Sequence, residues 1–489
     1  MNFENAVFRR LFSVNLRKKL RIRLAEMSFE NDFTITERGN LYPAVTLRHG
    51  TAEAIENGVY SVSGGCLRRL ICEHFPFAEY SFSLKELKGK AGFAFLNEKD
   101  GISTDVYVRS TPEGYSAAYS ANGETFETDI KIPSGAESVS FGTRGQAIDI
   151  YYTVNGHFNL VGTLEIPQLD SACNRPFPFK TLLYVEAQTF RTDSVLAFLD
   201  NGSALADIKP VKYIDGTIML LNGRVYFTMS SRRGSGGYQS VISWLPGTDE
   251  FRLEGVIFFD VNGRGRVSGD IASCLLYDEE KKEFLIWMCA FSSGHILACG
   301  KAGSDLLHGV SVVEVKLMDV SADSGEREFY GLEGDEDPDF YYDAGKEKWY
   351  LSICRLCRFG DRKTYSYVKF ESDSPFTGYR FCGATEGTGE TGGMTAIIDG
   401  RRYFMCGAEM SETSTYRIYD AETLKLITKA QYDYPDGGFR GWGTLVPVQH
   451  GSGRRVYQIT FDRVLGSDYN WSYGNLYLFE AIENARESN

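Results

Sequence analysis

Four acidic residues surround one proline in a short stretch of the second half of the chain. They are Asp335, Glu336, Asp337 and Asp339, around Pro338. The proline has a fixed φ angle and favours an extended conformation at Asp337. Aromatic runs at 340–342 and 349–351 flank a polar turn, which is typical of a β-hairpin. We expect carboxyl groups suited to acid–base chemistry at the entrance of this hairpin; the alternative is a solvated acidic turn.

Similar hairpin patterns recur along the second half of the chain every ~50–70 residues. Each unit has a short apolar strand, a turn with Asp, Asn or Gly, and a strand that begins with an aromatic residue. The five units begin at Asp215, Gly269, Gly334, Glu390 and Gly441. This repeat predicts a five-bladed β-propeller over residues 203–489, with the first strand of each blade lining a central channel.

Acidic residues stand at or near the starts of these first strands, at Asp215, Asp270, Asp337 and Glu390. In a propeller the strand starts converge at one mouth of the channel, so we expect these carboxyl groups to face one cavity. Like charges this close raise the pKa of at least one group. One carboxylate as base and one protonated carboxyl as acid are what glycoside hydrolysis requires. The alternative is that each acid caps a turn through hydrogen bonds to the backbone.

The first repeat, residues 215–227, resembles the first blade of the five-bladed propeller glycosidases, such as glycoside hydrolase family 43 and its relatives. In that family an Asp opens the innermost strand and acts as general base, which implies this role for Asp215. A second Asp tunes the acid, which implies Asp270. The resemblance covers the propeller region and not the first 30 residues, and accessory sandwiches in that family usually follow the propeller.

The general acid of that family is a Glu, commonly followed by Gly-Pro. Here Asp337 and Pro338 occupy a similar frame, with Asp in place of Glu. Glu336 is adjacent, and Glu390 opens the next blade. The resemblance therefore implies either Asp337 or Glu390 as the acid and leaves the choice open.

Further candidates for the site would bind the substrate. Trp442 stands between two glycines at the start of the fifth repeat, where its ring could stack on a sugar face. Arg440 could bind a substrate hydroxyl or carboxylate. Glu336 and Asp339 complete this substrate-binding set because they flank Asp337.

The N-terminal residues 1–30 predict a basic amphipathic helix. Apolar residues recur at steps of four from Phe8 to Leu24, and Arg and Lys cover much of the remainder. We expect this helix to dock on the acidic body of the protein or on a partner subunit. The alternative is a membrane surface.

Residues 31–202 predict a β-sandwich of jelly-roll type. Ten candidate strands between residues 44 and 166 mostly alternate apolar and polar residues, with Asn-Gly turns at 122–123 and 155–156. The hairpin at 148–156 resembles the concanavalin-like modules that accompany many glycan-active enzymes. This resemblance implies glycan binding, and the alternative is a sandwich that only braces the second domain.

Composition limits the compartment and the classes of partner. A chain of 489 residues predicts two to three domains, and its net charge of −13 argues against nucleic acid as the main partner. No run of about 18 apolar residues occurs, so we expect no membrane span. Ten cysteines, several of them in apolar runs, and a start unlike a secretory signal favour the cytoplasm. Without a dinucleotide, P-loop or zinc-protease motif, we expect no cofactor. Hydrolysis by two carboxyl groups requires no metal ion, although an ion in the channel is possible.

These features together predict an all-β carbohydrate-active enzyme that hydrolyses a glycosidic bond, with inversion favoured over retention. Two other classes remain open. A glycoside phosphorylase would need basic residues for phosphate, for which Arg440 or Arg232 could serve. A non-catalytic propeller would bind glycan without cleaving it. The sequence leaves the sugar and the oligomeric state open.

Overall fold

All regular structure in the described part of the chain is β-strand, apart from short 3-10 helices at Phe3–Asn5, Pro167–Leu169 and Phe291–Ser293. The all-β prediction is therefore confirmed. The computed structural model describes residues 1–14, 20–27, 36–37, 40–41, 46–75, 77–97, 102–144, 146–169, 179–200, 204–233, 236–265, 267, 269–320, 328–329, 334–359, 362–408, 416–433, 439–450, 453–463 and 473–483. No helix within these residues is long and apolar enough to cross a membrane.

The predicted helix over residues 1–30 is wrong, because strands β1 (Ala6–Val14) and β2 (Arg21–Glu26) occupy this region. Apolar residues spaced by four lie on one face of a helix, but they also lie on one face of a strand, since four is a multiple of the strand period of two. Strand β1 pairs antiparallel with residues 476–483 at the other end of the chain. Periodicity alone does not reveal such a distant partner.

The chain divides into two compact units. The N-terminal unit consists of residues 21–200 and 265–267. The C-terminal unit consists of residues 201–264 and 268–489, and it also includes residues 1–20.

The N-terminal unit contains β2 and the strands that follow it in the first 200 residues. These are β3 (Thr36–Glu37), β4 (Asn40–Leu41), β5 (Thr46–His49), β6 (Ala52–Glu56), β7 (Val59–Ser63), β8 (Cys66–Glu73), β9 (Glu79–Ser83), β10 (Glu86–Asn97), β11 (Ile102–Thr111), β12 (Gly114–Ala121), β13 (Glu124–Pro133), β14 (Ser138–Arg144), β15 (Ala147–Val154), β16 (His157–Glu165), β17 (Lys180–Thr192) and β18 (Val195–Asp200).

Two sheets hold most of these strands. The nine-stranded sheet has the order β13-β12-β11-β10-β17-β7-β6. In addition, β8 pairs with β17, and β5 pairs with β8. The six-stranded sheet has the order β16-β15-β14-β9-β18-β2. Aromatic rings from both sheets pack together in the core: Phe82 of β9 lies 5.9 Å from Phe93 of β10 and 5.4 Å from Phe190 of β17.

The Asn-Gly turns predicted in this unit are confirmed. Asn122 and Gly123 have φ angles of 53° and 85°, and Asn155 and Gly156 have φ angles of 49° and 70°. A two-residue hairpin turn needs two consecutive left-handed residues, and Asn followed by Gly adopts them most readily.

The C-terminal unit contains β1 and all strands after residue 200. These are β19 (Ala204–Pro210), β20 (Lys212–Tyr213), β21 (Leu220–Leu221), β22 (Arg224–Arg233), β23 (Gly236–Trp244), β24 (Phe251–Val261), β25 (Ile271–Asp278), β26 (Glu283–Ala290), β27 (Ile296–Gly303), β28 (Gly309–Leu317), β29 (Glu328–Phe329), β30 (Asp335–Asp343), β31 (Lys348–Phe359), β32 (Arg362–Ser372), β33 (Arg380–Ala384), β34 (Glu390–Ile398), β35 (Arg401–Ala408), β36 (Tyr416–Asp420), β37 (Leu426–Lys429), β38 (Gln431–Tyr432), β39 (Phe439–His450), β40 (Gly453–Arg463) and β41 (Tyr473–Glu483).

Five four-stranded antiparallel meanders can be traced through these strands. In chain order they are β19-β22-β23-β24, β25-β26-β27-β28, β30-β31-β32-β33, β34-β35-β36-β37 and β39-β40-β41-β1. We refer to them as the first to fifth meanders. The hairpins predicted from the second to fifth repeats are confirmed as β25–β26, β30–β31, β34–β35 and β39–β40.

The first strands of neighbouring meanders contact one another in cyclic order. Strand β19 contacts β25, and the contacts continue from β25 to β30, from β30 to β34, from β34 to β39 and from β39 back to β19. Large side chains fill the space between meanders. Trp287 of the second meander, for example, stacks on Phe340 of the third at 4.0 Å between ring centroids.

Candidate functional site

The first strand of every meander contains a β-bulge. The register shifts lie between residues 206 and 209, 271 and 274, 336 and 339, 391 and 394, and 440 and 444. In four of these bulges a residue has a left-handed backbone: Asp207 (φ 54°), Ala272 (φ 59°), Asp337 (φ 51°) and Gly392 (φ 60°). Bulges re-aim side chains and are common beside active sites.

The backbone of Asp337 differs from the extended conformation that Pro338 favours. At a φ of 51° it is left-handed because it lies at the bulge of β30. Asp is one of the few residues that tolerate this conformation at modest cost.

Four carboxyl groups from three meanders lie around the buried thiol of Cys289 in β26. Burial raises the pKa of this thiol well above its usual range. The same pKa is raised further by the charges of Glu336, Asp337, Asp270 and Asp207. These four acids are therefore near enough to act on one buried group, in line with the contacts among β19, β25 and β30.

Asp270 precedes β25 and is almost fully buried, with 2% of its surface exposed. Its two carboxyl oxygens accept hydrogen bonds from the backbone N–H and the hydroxyl of Ser292, each at 2.9 Å. Burial raises the pKa of Asp270, and this effect outweighs the opposing Ser292 hydrogen bonds and the charge of Arg264. A carboxyl in this setting can retain a proton or tune a neighbouring acid.

Glu336 is the most accessible of the four carboxyl groups, with 19% of its side chain exposed. Its Oε1 accepts a hydrogen bond from the Tyr365 hydroxyl at 2.9 Å and lies 2.7 Å from His295 Nδ1. Burial and the neighbouring Glu336 charge raise the pKa of Tyr365, so the tyrosine remains a donor. Glu336 is thus held on one oxygen while the side chain reaches solvent.

Asp337 is buried and connects the third meander to the fourth. Its Oδ2 accepts hydrogen bonds from Thr391 Oγ1 at 3.1 Å and from the Gly392 N–H at 3.0 Å. These two donors belong to the bulge of β34, so the two bulges are joined directly.

Asp339, predicted to bind substrate, is instead enclosed by the protein. Its Oδ1 lies 2.5 Å from Lys212 Nζ, and its Oδ2 accepts a hydrogen bond from the Thr395 N–H at 2.8 Å. Both charged side chains are buried. This pairing encloses the carboxylate of Asp339, and its predicted contact with substrate stays a prediction.

Glu390, predicted as a possible acid, is also enclosed. It is fully buried, and Arg417 donates to its Oε1 at 3.0 Å. The hydroxyls of Tyr419 and Thr385 also donate to its carboxylate. Because protein groups surround both oxygens, the geometry does not favour proton transfer from Glu390 to a substrate.

Asp215, predicted as the base, lies in the exposed turn between β20 and β21 rather than at the start of a first strand. Its Oδ1 accepts hydrogen bonds from the N–H and the hydroxyl of Thr217 at 2.8 Å and 2.7 Å. Arg402 contacts the Asp215 carbonyl and also Asp343, at the end of β30 farthest from Glu336. Asp215 therefore makes the contacts of the turn-capping alternative, and its predicted role as base stays a prediction.

The backbones of Trp442 and Arg440 belong to β39, but their side chains lie outside the described residues. Their predicted contact with substrate stays a prediction. In the described part of the chain, no group of three or more His, Cys, Asp or Glu side chains is arranged to hold a metal ion.

Asp207 is an acid near this cluster that the sequence analysis does not single out. It lies at the bulge of β19 and is 2% exposed, in the position that Asp337 occupies in β30. The sequence does contain a signal, since an acid interrupts the apolar run before Lys209 and Pro210. The first predicted repeat, which begins at Asp215, corresponds to the hairpin β21–β22, whereas the first strand of the first meander is β19.

Comparison with known proteins gives only distant structural similarity. No protein-family model matches the chain, and no curated protein matches it either. A family 117 glycoside hydrolase from the marine bacterium Zobellia galactanivorans is 12% identical, with a TM-score of 0.38, over 57% of this chain and 90% of that one. An α-L-arabinanase from Penicillium chrysogenum, complexed with arabinobiose, is 8% identical, with a TM-score of 0.35, over 83% and 99%.

An exo-β-1,3-galactanase from Clostridium thermocellum is 12% identical, with a TM-score of 0.36, over 56% of this chain and 62% of that one. Scores this low carry no argument about fold or activity. What the site can do has to follow from its own residues.

Proposed function

We propose that the C-terminal unit is a five-bladed β-propeller and that it is a glycosidase whose site is formed by Asp207, Asp270 and Glu336. The propeller is supported by five meanders whose first strands contact one another in cyclic order. We likewise propose that the N-terminal unit is a β-sandwich, supported by aromatic packing between its two sheets. A cytoplasmic location remains part of the proposal, supported by free thiols at every described cysteine.

The observation that carries this proposal is the convergence of carboxyl groups from three different first strands. These groups are Asp207 in β19, Asp270 at the start of β25 and Glu336 in β30. The three strands are consecutive in the cyclic order of contacts. After burial, the charges of all three carboxyl groups raise the pKa of the same thiol, that of Cys289. Acids gathered in this way suit a reaction that needs one protonated and one ionised carboxyl, as glycoside hydrolysis does.

The proposed role of Glu336 rests on its accessibility, and that of Asp207 on its place at the bulge of β19. Glu336 is the carboxyl that reaches solvent, so it is the proposed acid that protonates the leaving glycosidic oxygen. Asp207 is the proposed base that accepts a proton from the attacking water as the bond between the sugar carbon and the leaving oxygen breaks. Asp270, with its raised pKa, is the proposed partner that tunes Glu336. We retain inversion of configuration as part of this proposal.

Two arginines of the third and fourth meanders are paired with buried acids, and this pairing favours hydrolysis over phosphorolysis. Arg355 makes two 2.7 Å contacts with buried Asp335, and Arg417 is held by Glu390. These guanidinium groups are neutralised within the protein and are poorly suited to bind phosphate. A requirement of turnover for inorganic phosphate would reverse this preference.

The proposal is tested by measuring hydrolysis of a panel of aryl glycosides and oligosaccharides with wild type, Asp207→Asn, Asp270→Asn and Glu336→Gln. We expect losses of about 10²–10⁴-fold in kcat for Asp207→Asn and Glu336→Gln, the scale of a missing acid or base. Asp215→Asn is the matched control, because it is the same substitution in an exposed turn.

Circular dichroism and urea unfolding establish that each variant is folded. The proposed site is wrong if folded Asp207→Asn and Glu336→Gln retain wild-type activity on a substrate that the protein cleaves. It is also wrong if Asp215→Asn loses as much activity as they do.

A further inference from the structure

We propose that the turn at residues 291–295, together with Tyr365, positions Glu336 as a proton donor and selects which of its two oxygens carries the proton. This inference rests on the proposed glycosidase function. His295 and Tyr365 are then positioning residues, because they act on the substrate through Glu336.

The 291–295 turn connects β26 to β27 and contacts acids of two meanders at once. Ser292 donates both its N–H and its hydroxyl to Asp270, at the start of β25. Three residues later, His295 Nδ1 lies 2.7 Å from Glu336 Oε1, in β30. One five-residue segment therefore sets the position of two of the three proposed catalytic carboxyl groups relative to each other.

The backbone of this turn is held in an unusual conformation. Gly294 and His295 both have left-handed φ angles, of 86° and 57°. A left-handed backbone is uncommon for a residue other than glycine and often marks a functional site. It lets the His295 carbonyl accept hydrogen bonds from the N–H groups of Gly334 at 3.3 Å and Asp335 at 3.0 Å. The turn is thus fastened to the segment that carries Glu336.

The ring of His295 is oriented from within the turn. The Phe291 ring packs edge-on against it, at 4.7 Å between centroids. With Nδ1 directed at Glu336, the nitrogen that carries a hydrogen on the neutral ring is Nδ1, because Oε1 accepts. The ring is 43% exposed, so it forms the solvent side of the acid's environment.

The two donors contact the same one of the two carboxyl oxygens of Glu336. Tyr365 and His295 both occupy Oε1, so the proton to be transferred resides on Oε2. When that proton moves to the leaving oxygen and the glycosidic bond breaks, Glu336 is left with a negative charge. The two hydrogen bonds at Oε1 stabilise this charge, which develops only as the proton leaves, and they therefore favour the transition state.

The test uses the dependence of rate on the leaving group. A 2,4-dinitrophenyl glycoside departs without protonation, whereas a methyl glycoside or a disaccharide requires the acid. For His295→Ala and Tyr365→Phe we expect kcat on the unactivated substrates to fall about tenfold, the rate equivalent of one hydrogen bond to a charged group. On the dinitrophenyl glycoside we expect almost no change.

Ser293→Ala is the control within the same turn, because the Ser293 hydroxyl has no hydrogen-bond partner among the described residues. It should match wild type on both substrates. A purely structural role of His295 and Tyr365 predicts equal losses on activated and unactivated substrates, and that result would overturn the inference. Unchanged kinetics in both variants would overturn it as well.

Glu336→Gln separates this inference from the proposed function. If Glu336→Gln keeps wild-type rates on unactivated substrates, the proposed function fails. If it loses activity while the His295 and Tyr365 variants show no leaving-group dependence, only the positioning role fails. An activity-independent readout is the ¹⁵N NMR spectrum of His295 in wild type: a hydrogen on Nδ1 of the neutral ring supports the contact with Glu336, and a hydrogen on Nε2 instead rejects it.

Discussion

Lys212 Nζ lies 2.5 Å from Asp339 Oδ1, and the two side chains are only 1% and 2% exposed. The pair joins the segment after β19 to the middle of β30, next to the proposed site. A buried ion pair contributes little net stability, but removal of one partner leaves an uncompensated charge.

Replacement of either partner alone should therefore destabilise the C-terminal unit. For Asp339→Leu we expect a loss of about 3–5 kcal/mol in the free energy of unfolding, measured by urea titration. The double variant Lys212→Met/Asp339→Leu should recover most of this loss. If the recovered double variant is inactive, Asp339 has a role in substrate binding after all.

Glu390→Gln should separate stability from activity. The change leaves Arg417 without its carboxylate, at a cost of about 3 kcal/mol or more in unfolding free energy. Because Glu390 is enclosed, the folded variant should keep the kcat/KM of wild type. Arg417→Met is the companion variant, with the same expected pattern. A folded Glu390→Gln protein with kcat reduced 100-fold would restore Glu390 as the candidate acid.

His74 should make the stability of the N-terminal unit depend on pH. Burial lowers the pKa of His74 from 6.5 to about 3, and its Nδ1 lies 3.0 Å from the Tyr80 hydroxyl. Below pH 6.5 the unfolded chain binds a proton that the folded chain does not bind. The stability is therefore fully present above pH 6.5 and is lost as the pH falls towards 3.

The expected slope from this residue is about 1.4 kcal/mol per pH unit. Urea unfolding at pH 7.5, 6 and 5 measures it. His74→Gln, which keeps a hydrogen-bond acceptor but does not titrate, should flatten this part of the profile. An unchanged slope in His74→Gln would show that other groups cause the acid sensitivity.

Gly393 should tolerate no side chain. A Cβ atom there would lie 2.4 Å from the Phe404 ring and 2.5 Å from the Tyr367 ring. Gly393→Ala is expected to lower the unfolding free energy by about 1–3 kcal/mol, because the rings must shift. The same substitution at Gly453, where the nearest atom is 3.9 Å away, should change stability by less than about 0.5 kcal/mol.

If the adjacent Gly392–Asp337 hydrogen bond shapes the site, Gly393→Ala should also reduce activity. Equal stability of the Gly393 and Gly453 variants would contradict the tight packing at this bulge.

Local patterns predicted much of the fold. The hairpin at 335–359 followed from its aromatic runs and polar turn, and the Asn-Gly turns followed from the ease with which these residues adopt left-handed angles. Four of the five hairpins of the C-terminal unit were located in the same way. These features depend on neighbouring residues, so the order of residues along the chain is sufficient to find them.

The candidate site was predicted only in part. Glu336, Asp337 and Asp270 were among the predicted candidates, because acids at strand starts are visible in a sequence, and all three raise the pKa of the Cys289 thiol. The roles predicted for Asp215 and Glu390 stay predictions, although Asp215 caps its own turn and Glu390 is enclosed, and Asp207 was not among the predicted residues. In the sequence, an acid that caps its own turn, an acid enclosed by Arg417 and an acid at a bulge look alike, because each is an acidic residue beside an apolar run.

Short strands joined by tight turns, and acids at several strand starts, could be predicted from the order of residues alone. Tertiary structure alone decided that residues 6–14 form a strand, since the partner of β1 lies at the other end of the chain. It also decided which carboxyl groups meet and which are enclosed. The reason is physical: alternation and turn chemistry act between neighbours, whereas burial, ion pairing and charge repulsion act between residues brought together only when distant strands pack.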